Sequence, residues 1–268
     1  MSDPWATSVD YGPVRFLHRL NPLAKVGAPL PAMGLLVFSR DIALPLAFLA
    51  LALVVILVGT HLRPRYLVAL LVGMPALILF FGFTTGLWTD PAVVDRSTLL
   101  FRIGDYRFYV GSFILGLTTT LRLGSIFVLA LIAGFSTTGP DLVRAMVQQL
   151  RVPYRIGYTA LAAYRFVPRF GHELQVIRSA HRVRGMAGGR GPLASVRRYL
   201  GYVVPLLAGA IRHAERVALA MDSRAFGAHR TRTERYLVPF RVRDGVFLAI
   251  FWAASAVIVL SLTPLEFP

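Results

Sequence analysis

Four stretches of this chain are long, apolar and almost free of charge, and they constrain the fold more than anything else in it. Residues 42–60, 66–88 and 245–265 contain no Asp, Glu, Lys or Arg, and 109–137 contains only Arg122. A helix needs about 20 apolar residues to cross a hydrocarbon core of about 30 Å. A fifth run, 25–38, is shorter and carries Pro29 and Pro31, so a span with an irregular start is expected there. The expected fold class is an all-α membrane protein of about five transmembrane helices. Composition agrees: 56% of the 268 residues are hydrophobic, with a mean hydropathy of +0.61, an excess that lipid exposure explains better than a soluble core.

Charge orients these spans. The net charge is +16, and nucleic acid is the first partner such a balance brings to mind. Its distribution argues otherwise. Of the 29 Lys and Arg, 19 lie between Thr137 and Arg243 against five acids, a local net charge of +14, with apolar runs on both flanks. That is the layout of a cytoplasmic domain slung between spans, and no nucleic acid is expected. Arg15, Arg19 and Lys25 precede the first span, and Arg63 and Arg65 lie between the second and third. With five spans, these groups and the large basic segment share one side, the cytoplasm by the positive-inside rule. The opposite side holds Arg40, Asp41, the loop 90–107 and Glu266. Within that loop, 99–109 reads as a short hairpin with Gly104-Asp105 as its turn. The first 21 residues lack an apolar core, so insertion is expected to be directed by the first span. The expected organisation is an N-terminal membrane part, 1–137, a cytoplasmic helical domain, 138–243, and a C-terminal transmembrane helix, 244–268.

The basic segment reads as helices. Gly139-Pro140-Asp141 is a start signal followed by Leu142, Met146 and Leu150 at helical spacing. Pro153 opens a second helix, bent by Pro168 and ended near Arg184 by Gly185 and the run Gly188-Gly189-Arg190-Gly191-Pro192. A third runs from about Leu193 to Arg224 and stops at Gly227. Leu193, Val196, Leu200, Val204, Leu207, Ile211, Ala214, Ala218 and Met221 form one apolar stripe on it, with Arg197, Arg198, Arg212 and Arg216 off the stripe.

Little here carries chemistry. The clean spans hold no Asp, Glu or His, so no proton relay or ion ladder is visible. Arg122 fits an internal contact or substrate path, or a local pairing near the outer end of its span. His18, His61, His172, His181, His213 and His229 show no metal-ligand spacing, there is no cysteine, and no phosphate-binding G-x-x-x-x-G-K-[ST] loop occurs. No catalytic residue, metal or cofactor is expected. Arg184 and Arg224 stand out by placement, each at the end of a long helix. Cations favour helix C-termini and Gly commonly follows, so both are explicable as caps. They are also separated by a helix of roughly 45 Å, from some 31 residues at 1.5 Å each. That spacing suits docking on two separate acidic clefts.

Four motifs carry a resemblance. They are Leu20-Asn21-Pro22-Leu23-Ala24-Lys25 before the first span, and Ser136-Thr137-Thr138-Gly139-Pro140-Asp141-Leu142 after the fourth. The third is Tyr164-Arg165-Phe166-Val167-Pro168, continuing through Glu173, Ile177, Ala180, Arg184 and Gly185. The fourth is Ala220-Met221-Asp222-Ser223-Arg224-Ala225-Phe226-Gly227. In order and place they resemble the transmembrane T component of energy-coupling factor (ECF) transporters. The resemblance implies a non-catalytic subunit linking two ABC-type ATPases to a membrane S component that binds a vitamin or metal ion. Arg184, flanked by Val183 and Gly185, and Arg224, flanked by Ser223 and Ala225, match the family's ATPase-docking positions. Val183 stands where Ala is common and Ala225 where Gly or Ser is common. The other readings are an ordinary ABC permease subunit and a membrane-embedded transferase. The first usually has one coupling helix per half; the second needs clustered interfacial carboxylates or His, which the chain lacks. The expected setting is the cell membrane, in contact with lipid, with the N-terminus inside and the C-terminus outside.

Overall fold

The computed structural model describes residues 16–89, 98–103, 106–185, 191–231 and 233–262. Among these, the elements are helical apart from one hairpin. The first apolar run is split into α1 (Pro22–Gly27) and α2 (Leu30–Phe38), with Pro29 at the break, so the irregular start lies where the prolines sit. α3 is Ala43–Gly59. The third run is α4 (Pro64–Val68), a π-helical turn at Ala69–Gly73 and α5 (Met74–Leu87), a continuous helical stretch. Strands β1 (Leu99–Ile103) and β2 (Tyr106–Tyr109) pair antiparallel, as the hairpin reading expects; the turn residues Gly104 and Asp105 lie outside the described residues, as do residues 90–97, Glu266, Arg15, Gly188, Gly189 and Arg190. Then follow α6 (Val110–Ser136), α7 (Gly139–Gln149), α8 (Tyr154–Val183), α9 (Pro192–Asp222) and α10 (Val242–Leu262). Pro64–Leu87, Val110–Ser136 and Val242–Leu262 are long and apolar enough to cross a bilayer, and Pro22–Phe38 and Ala43–Gly59 are shorter apolar helices.

The chain divides into two compact units: described residues up to Thr138 together with those from Pro239, and Gly139–Val238. The first unit is built around α6. Along α6, Ser112, Gly116, Thr120 and Gly124 recur every fourth residue and form a ridge of small side chains, facing Ile78, Gly82 and Gly86 of α5. A Cβ added at Gly116 would stand 2.3 Å from the carbonyl oxygen of Gly82 and 2.5 Å from the backbone nitrogen of Gly86. The helices therefore touch backbone to backbone, the arrangement small residues permit between membrane helices. Thr85 Oγ1 donates across the seam to Gly116 O at 3.2 Å. On another side of α6, Ser125 Oγ donates to Pro45 O of α3 at 2.7 Å, and Val128, Leu129 and Ile132 join Phe48, Ala52 and Ile56 in the core. Outward-facing Phe38, Val72, Phe80, Leu123, Ile250 and Val257 are exposed, as lipid-facing side chains are. Arg122 is half-buried and donates to Val37 O at 3.1 Å. Its guanidinium thus satisfies a carbonyl in the last turn of α2, an internal contact between helices that accounts for a charge inside an apolar run.

The second unit consists of α7, α8, α9 and the segment that follows. Gln148 is clipped to the returning chain at both ends of its amide, donating to Tyr236 O (2.8 Å) and accepting from Val238 N–H (2.8 Å). Gln149 Nε2 donates to Val238 O at 2.6 Å. Pro168 and Pro205 lie within α8 and α9, which continue through them.

Candidate functional site

Arg184 and Arg224 terminate the two longest helices of the second unit, α8 and α9. At the end of α8, the Arg184 amide donates to Ala180 O (3.1 Å) and the Gly185 amide to Arg182 O (3.1 Å), with Gly185 in the left-handed region at φ +69°. Gly185 is thus the glycine such a turn favours. Val183, Arg184 and Gly185 are all exposed. The guanidinium is carried on a helix end with nothing over it among the described residues of its unit that would hide it.

The end of α9 is built differently. Phe226 N–H reaches back to Met221 O (3.0 Å) and Ala225 N–H to Asp222 O (2.9 Å), a Schellman turn in which the left-handed position falls on Ala225, at φ +54°. The stop expected at Gly227 therefore comes two residues earlier. Gly227, at φ +89°, makes a second left-handed step. The turn is braced from α8: the Arg155 guanidinium donates to the Gly227 carbonyl, Tyr154 Oη donates to His229 O (2.6 Å), and the Tyr154 ring meets Phe226 edge-on with centroids 5.7 Å apart. The positive φ favours glycine at 227, and a Cβ there would also meet Arg155 Nε at 3.0 Å, a tight contact to a side chain that can give way. Ser223 and Arg224 are exposed beside this brace. Arg224 also lines a cavity of about 490 Å³ with Tyr158, Arg165, Met221 and His229, and among the described residues that line it there is no carboxylate.

The spacing between the two arginines depends on α9, whose 31 residues correspond to roughly 45 Å at 1.5 Å per residue. The stripe expected along α9 is on its uncovered side. Val196, Leu200, Val204, Leu207 and Ile211 are between 55% and 72% exposed. The face toward α8 is instead polar and aromatic: Tyr202 is 8% exposed and meets His181 edge-on, and His213 stacks on Phe166 with ring centroids 4.3 Å apart. These five residues of the stripe are thus not packed on the neighbouring long helix, whereas Met221 at its end lines a cavity with Tyr158 and Leu161 of α8. Arg197, Arg212 and Arg216 are exposed off the stripe.

Sequence reasoning finds both arginines because helix ends are local signals. It misses the Arg155 and Tyr154 brace, which joins residues more than 70 positions apart. Among the described residues no group of three or more His, Asp or Glu could hold a metal ion.

Comparison with known proteins identifies the family. Residues 13–234 match the CbiQ family model, described as cobalt transport protein. The chain is 26% identical over 243 residues to the energy-coupling factor transporter transmembrane protein EcfT of Staphylococcus aureus, covering 88% of each chain. To the protein of the same name from Streptococcus equi it is 26% identical over 242 residues, covering 85% of this chain and 86% of that one. It also matches, at 23% identity and over 87% of its own length, 30% of a Bifidobacterium longum protein named as a putative ABC transporter ATP-binding protein. The family match spans most of the chain: the protein belongs to the CbiQ family, the EcfT-like transmembrane components of ECF-type ABC transporters.

Proposed function

We propose that this chain is the non-catalytic coupling subunit of its transporter, linking a pair of ABC-type ATPases to a membrane-embedded S component that binds a vitamin or metal ion. The observation that carries the reading is the pair of exposed arginines at the ends of consecutive long helices, each followed by a left-handed residue and spaced by the length of α9. A guanidinium makes forked bonds to carboxylates, so each arginine, with Val183 and Gly185 or Ser223 and Ala225 beside it, suits an acidic groove on one ATPase. The exposed stripe of α9 suits the apolar surface of the S component. ATP-driven closure of the ATPases would change the separation of the two arginine-bearing ends, and stiff helices would pass that motion to the S component as a tilt.

In this reading the chain crosses the cell membrane five times, the two shorter apolar helices included. The N-terminus and the unit 139–238 are cytoplasmic and the C-terminus is external. Arg184→Glu and Arg224→Glu test the docking role. Each should lose co-purification with the ATPase pair and lose ATP-dependent uptake, while Arg197→Glu and Arg212→Glu retain both. Reversals that assemble and transport like the parent would reduce the two arginines to helix caps.

A further inference from the structure

Two charged side chains are buried in the first unit, and neither takes part in the docking described above. Lys25, on α1, is 2% exposed, and its Nζ donates to Ser136 O at 2.6 Å. Ser136 is the last residue of α6, so this carbonyl is one of those the helix cannot satisfy itself, at the negative end of the helix dipole. Asp244, the third residue of α10, is 1% exposed. One of its oxygens accepts from the Arg241 amide at 2.7 Å and closes the N-terminus of α10. The other accepts from the Asn21 amide at 2.8 Å. Asn21 caps α1 by accepting from the Leu23 amide (2.9 Å), and its Nδ2 donates to Pro239 O at 3.4 Å.

The placement of these contacts along the chain matters. The polypeptide leaves this unit after Thr138 and returns at Pro239. Lys25 holds the residue two before the exit; Asn21 holds the residue of return and, through Asp244, the start of α10. Both crossings are therefore fastened to a single turn of α1, a rise of about 6 Å from Asn21 to Lys25. Burying an ammonium and a carboxylate is costly, and an apolar contact would pack the same space without that cost. What the charges add is direction: each meets a helix end of opposite sign.

We infer that Asn21, Lys25 and Asp244 are positioning residues that clasp the two crossings into one anchorage, so that motion of the unit 139–238 enters the membrane helices at one stiff point. The clasp rests on the contacts above; its part in coupling rests on the transporter reading. The test uses Lys25→Met in the full-length chain, with Ser125→Ala, which removes another buried hydrogen bond of α6, as control. Hydrogen exchange at the Thr137 amide, which donates to Ala133 O in the parent, should accelerate ten-fold or more in Lys25→Met and not in the control. In vesicles containing the chain with its ATPases and S component, Lys25→Met should hydrolyse ATP within two-fold of the parent while uptake per ATP falls at least five-fold, and Lys25→Arg should recover part of the loss. If Lys25→Met does not accumulate, Asn21→Ala, which removes the Pro239 bond and leaves the backbone contact to Asp244, is read the same way at the Arg241 and Asp244 amides. Unchanged exchange overturns the clasp. Faster exchange with unchanged uptake per ATP overturns its role in coupling. A parent chain that binds no ATPase pair counts against the proposed function, and the exchange result still decides the clasp.

Discussion

Replacing Gly116 by Ala should open the seam between α5 and α6, and the structure gives the size of the effect. The added Cβ would meet Gly82 O at 2.3 Å, Gly86 N at 2.5 Å and Gly86 Cα at 2.9 Å. Ordinary contact between a carbon and a carbonyl oxygen is about 3.3 Å, so the helices must part by about 1 Å. All three obstacles are backbone atoms, and none can swing aside as a flexible side chain would. A gap of that size forfeits roughly a quarter to a half of the attraction along a packed surface. Overpacking of this kind costs about 1–3 kcal/mol. Alanine returns about 1 kcal/mol through its higher helix propensity, so the net loss is about 0–2 kcal/mol against the parent and about 1–3 kcal/mol against an unobstructed Gly→Ala change, and Gly116→Leu should lose more. A Cβ added at Gly34 or Gly73 would meet nothing within 4 Å, so Gly34→Ala and Gly73→Ala should be neutral or slightly stabilising. Thermal unfolding of the detergent-purified chain, followed by tryptophan fluorescence, separates the cases. If Gly116→Ala unfolds at the same temperature as Gly34→Ala, the backbone contact across the seam is not a source of stability and the reasoning fails.

Other outcomes follow from the two helix ends and from the topology. Ala225→Gly removes a left-handed alanine at φ +54° and should stabilise the second unit by about 1 kcal/mol, read as slower exchange at the Phe226 amide. Gly227→Ala should do the reverse, because φ is +89° and the new Cβ meets Arg155 Nε at 3.0 Å; protease cleavage near 225–231 should speed up. Arg184→Lys and Arg224→Lys should keep partial ATPase association with poor uptake, whereas reversal to Glu should weaken association by about 2–5 kcal/mol in a binding titration. With no native cysteine, Thr231→Cys should label only from the cytoplasmic side and Arg40→Cys only from outside; labelling of both from one face would refute the five-span reading.

The apolar helices are legible because hydropathy and length alone define them, and the break at Pro29 and the hairpin are legible because proline and strand patterns are local. What cannot be read depends on residues far apart. Ser112, Gly116, Thr120 and Gly124 are visible in the sequence as a four-residue rhythm, but their meaning comes from Gly82 and Gly86 on the facing helix. The stop of α9 is expected at Gly227 because glycine is the usual occupant of a left-handed turn, while the fold places the first such turn on Ala225. From the sequence Lys25 reads as one of the flanking cations expected to orient the spans, yet it is buried against the end of α6, where its charge serves an internal carbonyl.

The two units dispose of apolar surface in different ways, and the difference bears on the proposed docking. In the first unit, outward apolar side chains have lipid as their solvent. In the second, the outward stripe of α9 belongs to a segment dense in arginine, and the face turned toward α8 is the polar and aromatic one. An ordinary amphipathic helix pair places these faces the other way round. Contiguous exposed apolar surface of this kind marks an interaction site. In the proposed coupling subunit the stripe and the arginines therefore divide the work. The stripe supplies area and little discrimination, which suits a partner that moves along it, while the arginines at its two ends supply direction and choice of partner. Truncating the stripe, for example by Leu200→Ala with Leu207→Ala, should weaken association with the S component and leave ATPase association intact; the arginine reversals should do the opposite. A variant of the stripe that loses the ATPases instead would show that the two surfaces are not separate.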